Sequence, residues 1–336
     1  MAVDAQGNLG TVLVTGAGGA AAVTVLRSLT GSATLVAADI DPVAVGLYLV
    51  PRERRALLPR GDDDEFIDAL LAVAIQQCAD LVIPTVDSEL RKVSAARDRF
   101  AAAGIDILVE SVATLDMCLD KFALMQACSA ASVRVPATVL LEKGMAPDAL
   151  EPLGAPFIIK PRSGAGGRGF EILRDATELK RVPHDGTMLA QALLPGDEYS
   201  IDVLAHPDGG VIAAVPRRRD KVDSGIAVAG RTVADDALED FGRQVADVIG
   251  ARGVVNVQAK LDNSGTPALL EVNSRFPGTM ALTQAAGIDM PLLAVRAARG
   301  ENLPRHMHFK EVAVVRYWED IVVPIDEYAQ IGRGRT

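Results

Sequence analysis

A rhythm between Thr11 and Leu108 constrains the fold of this chain most, because short apolar runs alternate there with stretches of helical periodicity. Thr11 to Thr15, Thr34 to Ala38, Leu81 to Pro84 and Ile105 to Leu108 predict strands, and Ala20 to Leu29, Glu65 to Gln77 and Ser88 to Ala103 predict helices. Strands that are apolar throughout and separated by helices imply a parallel sheet covered on both faces. The first part of the chain therefore reads as one open α/β domain.

Around Ser111 the rhythm changes. A helical stretch is expected from Leu115 to Ala131, followed by short strands at Thr138 to Leu141, Phe157 to Lys160 and Phe170 to Leu173, with a short helix at Ala176 to Arg181. Further strands are expected at Met188 to Ala192, Tyr199 to Ala205, Val211 to Val215, Val254 to Leu261 and Ala268 to Val272, with a helix from Asp236 to Ile249. Turn chemistry at Pro207-Asp208-Gly209-Gly210 and Asn263-Ser264-Gly265 makes this last group mainly antiparallel. The division expected is 1–113, 114–187, 188–315 and a carboxy-terminal tail 316–336.

The chain has 336 residues, of which 49% are hydrophobic, enough for a substantial core in about two or three domains. Its formal net charge is −10. That argues against a general affinity for nucleic acid or an anionic membrane, since both attract basic surfaces. Cys78, Cys118 and Cys128 lack metal-ligand spacing and read as small buried hydrophobes of a reducing compartment. With no secretory pattern at the amino terminus and no apolar run long enough to span a bilayer, a cytoplasmic location is expected.

Two glycine clusters compete as nucleotide sites. Gly16-Ala17-Gly18-Gly19-Ala20-Ala21 follows a strand and opens a helix, and Asp39 ends the next strand. This is the arrangement of a dinucleotide fingerprint, so a nicotinamide-dependent dehydrogenase is one reading; a tight turn demanded by the sheet alone is the other. The second cluster begins with Lys160 at the end of an apolar strand and runs through Gly164, Gly166 and Gly167. Backbone amides there can wrap phosphate while the ammonium reaches its oxygens. Downstream, Glu271 and Asn273 share one face of a strand, and Gln258 lies on a strand that could pair with it. Three oxygen donors at one place suit magnesium, which prefers hard oxygens and is commonly completed by nucleotide phosphates. Arg275 faces the same way.

In this ordered set the chain resembles the ATP-grasp superfamily, and specifically the ATP-binding units of the large subunit of carbamoyl phosphate synthetase and related carboxylate-amine ligases. The resemblance spans Val12 to Pro304 and implies a Rossmann-like preATP-grasp domain followed by a two-lobed ATP-grasp fold, α/β with α+β lobes. It further implies that Lys121 and Lys160 contact phosphate and that Gly166 and Gly167 cover it. Gln191 and the backbone of Leu193 would form the adenine hinge, and Glu198 would meet the ribose. Gln258, Glu271 and Asn273 would hold magnesium, with manganese as an alternative, and Arg275 would lie near the transferred phosphate. Only one unit is present, so a ligase joining a small carboxylate to an amine fits better than a whole carbamoyl phosphate synthetase, and a homodimer is one assembly the family suggests. Gln258 stands where many other ligases have a carboxylate, which leaves one or two metal ions open. A catalytically silent ATP-binding module is the third reading.

The run Arg217-Arg218-Arg219-Asp220-Lys221 is expected to be a solvated loop, as most charge runs are. Thr85, Asp87 and Ser88 are substrate candidates at a strand end. Tyr317-Trp318 is expected to pack the carboxy-terminal segment onto a lobe.

Overall fold

The computed structural model describes residues 8–164, 169–223 and 226–328. Its amino-terminal sheet is built from β1 (Thr11–Val14), β2 (Thr34–Asp39), β3 (Arg55–Leu57), β4 (Leu81–Ile83) and β5 (Asp106–Ile107), in the order β3-β2-β1-β4-β5 and parallel throughout. The connecting helices are α1 (Ala20–Leu29), α2 (Phe66–Gln76), α3 (Asp87–Ala95) and α4 (Arg97–Ala102). The expected helix from Ser88 to Ala103 is thus two, divided at Ala96, whose amide is shared between the carbonyls of Lys92 and Val93. Strand β3 sits in a run of arginines and has no apolar signature to announce it. Strand order reverses between β1 and β4, so their carboxyl ends open a crevice where doubly wound sheets place ligands.

The helix expected over Leu115 to Ala131 is also two, α5 (Val112–Leu119) and α6 (Lys121–Ala130). Asp120 breaks it by accepting from the amides of Phe122 and Ala123, a side-chain cap that favours a new helix start. The small sheet follows, with β6 (Thr138–Glu142), β7 (Phe157–Pro161), β8 (Glu171–Leu173) and β9 (Asp185–Ala192) in the order β6-β9-β7-β8. The expected boundary between residues 187 and 188 falls inside β9, which pairs with β6 and β7, so this sheet continues to Ala192. The boundary after residue 113 similarly falls within α5.

The large sheet contains β10 (Glu198–Ala205), β11 (Val211–Asp223), β12 (Ile226–Thr232), β13 (Val254–Leu261), β14 (Pro267–Asn273) and β15 (Ala313–Val315), with α7 (Asp236–Val248) on one face. Short helices α8 (Ala281–Ala285) and α9 (Met290–Ala298) lie between β14 and β15. The arginine run is a correction: Arg217 to Arg219 lie within β11 rather than in a loop, and Arg217 is only 1% exposed. Its guanidinium pairs with Asp202 at 2.5 Å, which compensates its burial.

Val12, Val14, Val25 and Leu26 of the first sheet and α1 share one core with Leu204, Val215 and Val254 of the large sheet and Leu293 of α9. This apolar continuity holds the two sheets against each other. The opposite face of the large sheet packs Ile201, Val203, Val257 and Val272 under α6 and α7. Two expectations about surface residues fail. Trp318 is 98% exposed and Tyr317 is also exposed, while their segment is tied down by Arg27–Glu319 and Arg55–Glu327 ion pairs instead. Cys78 is exposed too, unlike Cys118 and Cys128, because it terminates α2 in the left-handed region at φ 52°. Among the described residues no helix is long and apolar enough to cross a membrane.

Candidate active site

Strict alternation in β10 decides where the polar groups of the large sheet go. Tyr199, Ile201 and Val203 enter the core, so Glu198, Ser200 and Asp202 take the other face. Register extends that face across the sheet: Ser200 lies opposite Gln258, Gln258 opposite Glu271, and Asn256 opposite both Asp202 and Asn273. Gln258, Glu271 and Asn273 are therefore neighbours on one surface. The pairing slips beside them, with Gln258 opposite Glu271 but Ala259 opposite Leu269, which leaves Leu270 as the extra residue of a bulge.

The small sheet faces this surface with its own period of two. Phe157, Ile159 and Ala190 are core residues, so Ile158, Lys160, Leu189 and Gln191 share the opposite face. The Lys160 ammonium reaches across to the Leu270 carbonyl at 3.4 Å. Burial pushes its pKa down to about 8, Lys121 acts in the same direction, and Glu271 opposes them. Lys121, the first residue of α6, donates through Nζ to the Gly164 carbonyl at 2.5 Å, and its backbone amide donates to Arg162. Burial lowers the pKa of this ammonium too, against the pull of Glu271 and Asp120. Asp120, the cap of α6, holds Arg162 at 2.7 Å and so fixes the start of the glycine loop against the helix. Two partly desolvated cations and one carboxylate thus face each other.

Gly166 and Gly167 lie outside the described residues. Gln191 is buried, and its side-chain amide donates to Thr138 Oγ1 at 2.9 Å. Leu193 lines a separate hollow of about 600 Å3 with Pro136 and Asn263. Glu198 is paired with Arg219 at 2.6 Å. Arg275 makes a bidentate pair with Asp87, at 2.7 and 2.9 Å, which joins the end of β14 to the amino terminus of α3.

These two elements bound a cavity of about 700 Å3 between the sheets. One wall contains Gln258, Glu271, Asn273, Arg275 and Thr279, and the other contains the Gly16 turn, Asp39 and the segment Thr85 to Glu89. Glu271 and Asn273 also line the small recess that holds Lys121 and Gly164. They therefore connect the lysine side to the large cavity. Sequence reasoning missed the floor beneath this wall. Asp202 accepts from Arg217, Asn256 and Thr283, and Arg217 also donates to Thr279. The polar residues alternating along β10 were the available signal.

The Gly16 turn is packed rather than open. Its glycine has φ 62°, and a Cβ there would meet Val86 Cγ2 at 2.3 Å, so both conformation and space demand glycine. The amides of Ala17, Gly18 and Gly19 already donate to Ala38 O, Asp39 Oδ2 and Gly16 O. Asp39 is thereby engaged by the turn itself, which weighs against the dehydrogenase reading.

Among the described residues no cluster of three or more His, Cys, Asp or Glu could hold a metal by itself. The donor set of Glu271, Gln258 and Asn273 is one carboxylate and two amides, all with hard oxygens. It fits a magnesium ion whose remaining ligands arrive with a nucleotide.

Comparison with known proteins agrees with this architecture. A model described as "ATP-grasp in the biosynthetic pathway with Ter operon" matches residues 184–321, and a model of the PylC-like N-terminal domain matches residues 12–108. The carbamoyl phosphate synthase large chain of Vibrio cholerae serotype O1 is 24% identical over 247 residues, covering 68% of this chain and 23% of that one. The chain thus spans about a quarter of that relative. Biotin carboxylase from Campylobacter jejuni, solved as a β,γ-ATP complex, superposes with a TM-score of 0.72 at 20% identity over 89% of this chain and 73% of that one. L-amino acid ligase from Bacillus licheniformis gives a TM-score of 0.65 at 17% identity, over 86% and 74%. Residues 184–321 thus match an ATP-grasp domain and residues 12–108 a PylC-like N-terminal domain, in a chain homologous to the carbamoyl phosphate synthase large chain.

Proposed function

We propose that the chain is an ATP- and magnesium-dependent ligase that activates a small carboxylate and joins it to an amine, with release of ADP and phosphate. The observation that carries this reading is the facing of Lys121 and Lys160 against Glu271, beside Gln258 and Asn273, at the rim of the 700 Å3 cavity. A carboxylate and a nucleotide triphosphate repel each other, and the work of the site is to bring them together. Desolvated ammonium groups on Lys121 and Lys160 interact more strongly with phosphate than exposed ones, because water screens them less. Magnesium held by Glu271, Gln258 and Asn273 would neutralise phosphate charge. Arg275, fixed by Asp87, presents a guanidinium to the same space from the cavity side.

In the reaction proposed, a carboxylate oxygen forms a bond to the γ-phosphorus as the bond to the β,γ-bridging oxygen breaks. The amine nitrogen then attacks the acyl carbon, the acyl–oxygen bond breaks with phosphate leaving, and the amine loses a proton. The acyl phosphate must be shielded from water between these steps. The closeness of the lysine-bearing sheet to the Leu270 bulge supports that requirement.

The test is a screen of carboxylates and amines in pairs for ADP release, with mass spectrometry of the product. Lys160→Ala and Glu271→Ala should each lower the rate by about 100- to 1,000-fold, the range for losing one preorganised charge partner. Tight ATP binding without ADP release under every pairing would favour a silent binding module and refute the ligase.

A further inference from the structure

The amino-terminal wall of the cavity carries a charge pattern that phosphate chemistry does not explain. Asp39, Asp41, Asp87 and Glu89 line it, against Arg60 alone among the described basic residues of the amino-terminal wall. Arg60 is paired with Asp62, outside the cavity lining. Asp87 is neutralised by Arg275, and Asp39 is bonded to the amides of Gly18 and Asp41. Glu89 is different.

Glu89 is 4% exposed and sits in the first turn of α3. All three of its hydrogen bonds, from Thr15 Oγ1 and the amides of Thr85 and Val86, end on Oε1. Oε2 receives none. A glutamate needed only to cap α3 would be satisfied by those Oε1 contacts; capping leaves unexplained why the second oxygen of this largely buried side chain is unpaired and open to the cavity. Burial raises the pKa of this carboxyl, the three hydrogen bonds oppose that, and the charge of Asp39 adds to the rise. A carboxylate in this state is stabilised by an incoming cation that donates a hydrogen bond.

The surroundings define the cation. The cavity offers no cluster of carboxylates suited to a bare metal ion among the described residues. The same cavity is also lined by Ile40, Leu58, Phe66 and Val86, an apolar lining that suits hydrocarbon. An anion would meet three further carboxylates on the same wall.

We propose that Glu89 Oε2 anchors the ammonium group of a substrate amino acid, whose hydrocarbon portion lies against Phe66 and Leu58. The assignment rests on the reading of this cavity as the substrate cleft of an ATP-dependent ligase, and it names the class of one substrate and the residue that selects it. The sites of the two halves then have opposite character: cations and the proposed metal ligands toward the lysine-bearing sheet, an ammonium acceptor toward the parallel sheet.

The experiment is calorimetric titration of the full chain, with ADP and magnesium present, against the standard amino acids in both enantiomers and the matching 2-hydroxy and ω-hydroxy acids. At least one amino acid should bind, and replacement of the recognised amino group by hydroxyl should weaken binding by about 10- to 100-fold, the worth of a hydrogen bond to a charged group. Glu89→Gln should produce a similar loss while ADP affinity stays unchanged. The comparison of amino and hydroxy acids needs no variant, so it stands even if Glu89→Gln folds poorly. Equal binding of each pair, no amino acid binding at all, or a folded Glu89→Gln that binds amino acids as the parent does would each overturn the assignment. Failure of the parent chain to bind ADP would instead refute the ATP-site reading.

Discussion

Glu110 gives the sharpest test of how the two large sheets are held around the cavity. It follows β5, is 3% exposed, and accepts the Arg252 amide at 2.9 and 3.1 Å through its two oxygens, just before β13 begins. Burial pushes its pKa from 4.5 up to about 7, with the amides of Arg252 and Gly253 pulling it back only in part. Because the folded value exceeds the unfolded one, the protonated carboxyl stabilises the fold fully below about pH 4.5, and that contribution is lost as pH rises through about 7. At about 1.4 kcal/mol for each pH unit of displacement, the loss amounts to roughly 3 kcal/mol.

Other buried carboxyls move in the same direction, Glu89 among them, so the parent chain alone does not isolate Glu110. Subtraction of the Glu110→Gln variant does. Urea unfolding followed by far-ultraviolet circular dichroism, at intervals from pH 4.5 to 8.5, gives the stability of each chain. The parent's stability relative to Glu110→Gln should fall by roughly 3 kcal/mol between about pH 4.5 and 7.5 and then level off. A difference that is flat across this range, or that rises with pH, refutes the reasoning, since either would mean that the carboxyl is not desolvated between the sheets.

Asp202→Ala should destabilise the fold by about 3–5 kcal/mol in the same urea assay, because Arg217 is left charged and buried; joint replacement by Asp202→Leu and Arg217→Met should recover most of that loss. Gly16→Ala should cost about 1–3 kcal/mol, from the left-handed backbone and the collision with Val86, read as a lower urea midpoint. The chain's one tryptophan, Trp318, should emit as a solvated indole, be quenched freely by iodide, and show little wavelength shift on unfolding. Trp318→Ser should change stability by less than about 0.5 kcal/mol, and a larger loss by calorimetry would show that this segment is packed.

The parts of the fold that were legible in the sequence are those whose cause is local. Apolar runs of β1, β2 and β4 advertise burial on both faces, and the bounds of α1 coincide with its periodic stretch. Less was visible where one side chain redirects the backbone. Asp120 looks like any polar residue inside a helical pattern, yet its cap divides the helix and brings Lys121 against the glycine loop. Arg217 looked solvated because it stands in a run of charges; its burial depends on Asp202, fifteen positions away on the neighbouring strand. The bulge at Leu270 is a property of pairing between two strands and has no signature in either one.

The same distinction explains why the Gly16 cluster marks a crevice without naming its ligand. Reversal of strand order between β1 and β4 creates a crevice in any sheet of this order, and a glycine turn is needed there because Thr85 and Val86 approach it closely. The motif therefore marks a crevice and does not specify its ligand. Specificity enters with what borders the crevice. Three turn amides are consumed locally, which removes the donors that an anion would use, while Glu89 turns one oxygen toward the space. The opposite wall supplies Arg275 and the oxygens of Gln258, Glu271 and Asn273. A single cavity thus has the proposed ammonium acceptor on the parallel sheet and the proposed phosphate- and metal-directed groups on the antiparallel one, the polarity that the proposed ligase requires to set an amine-bearing substrate beside an activated carboxylate.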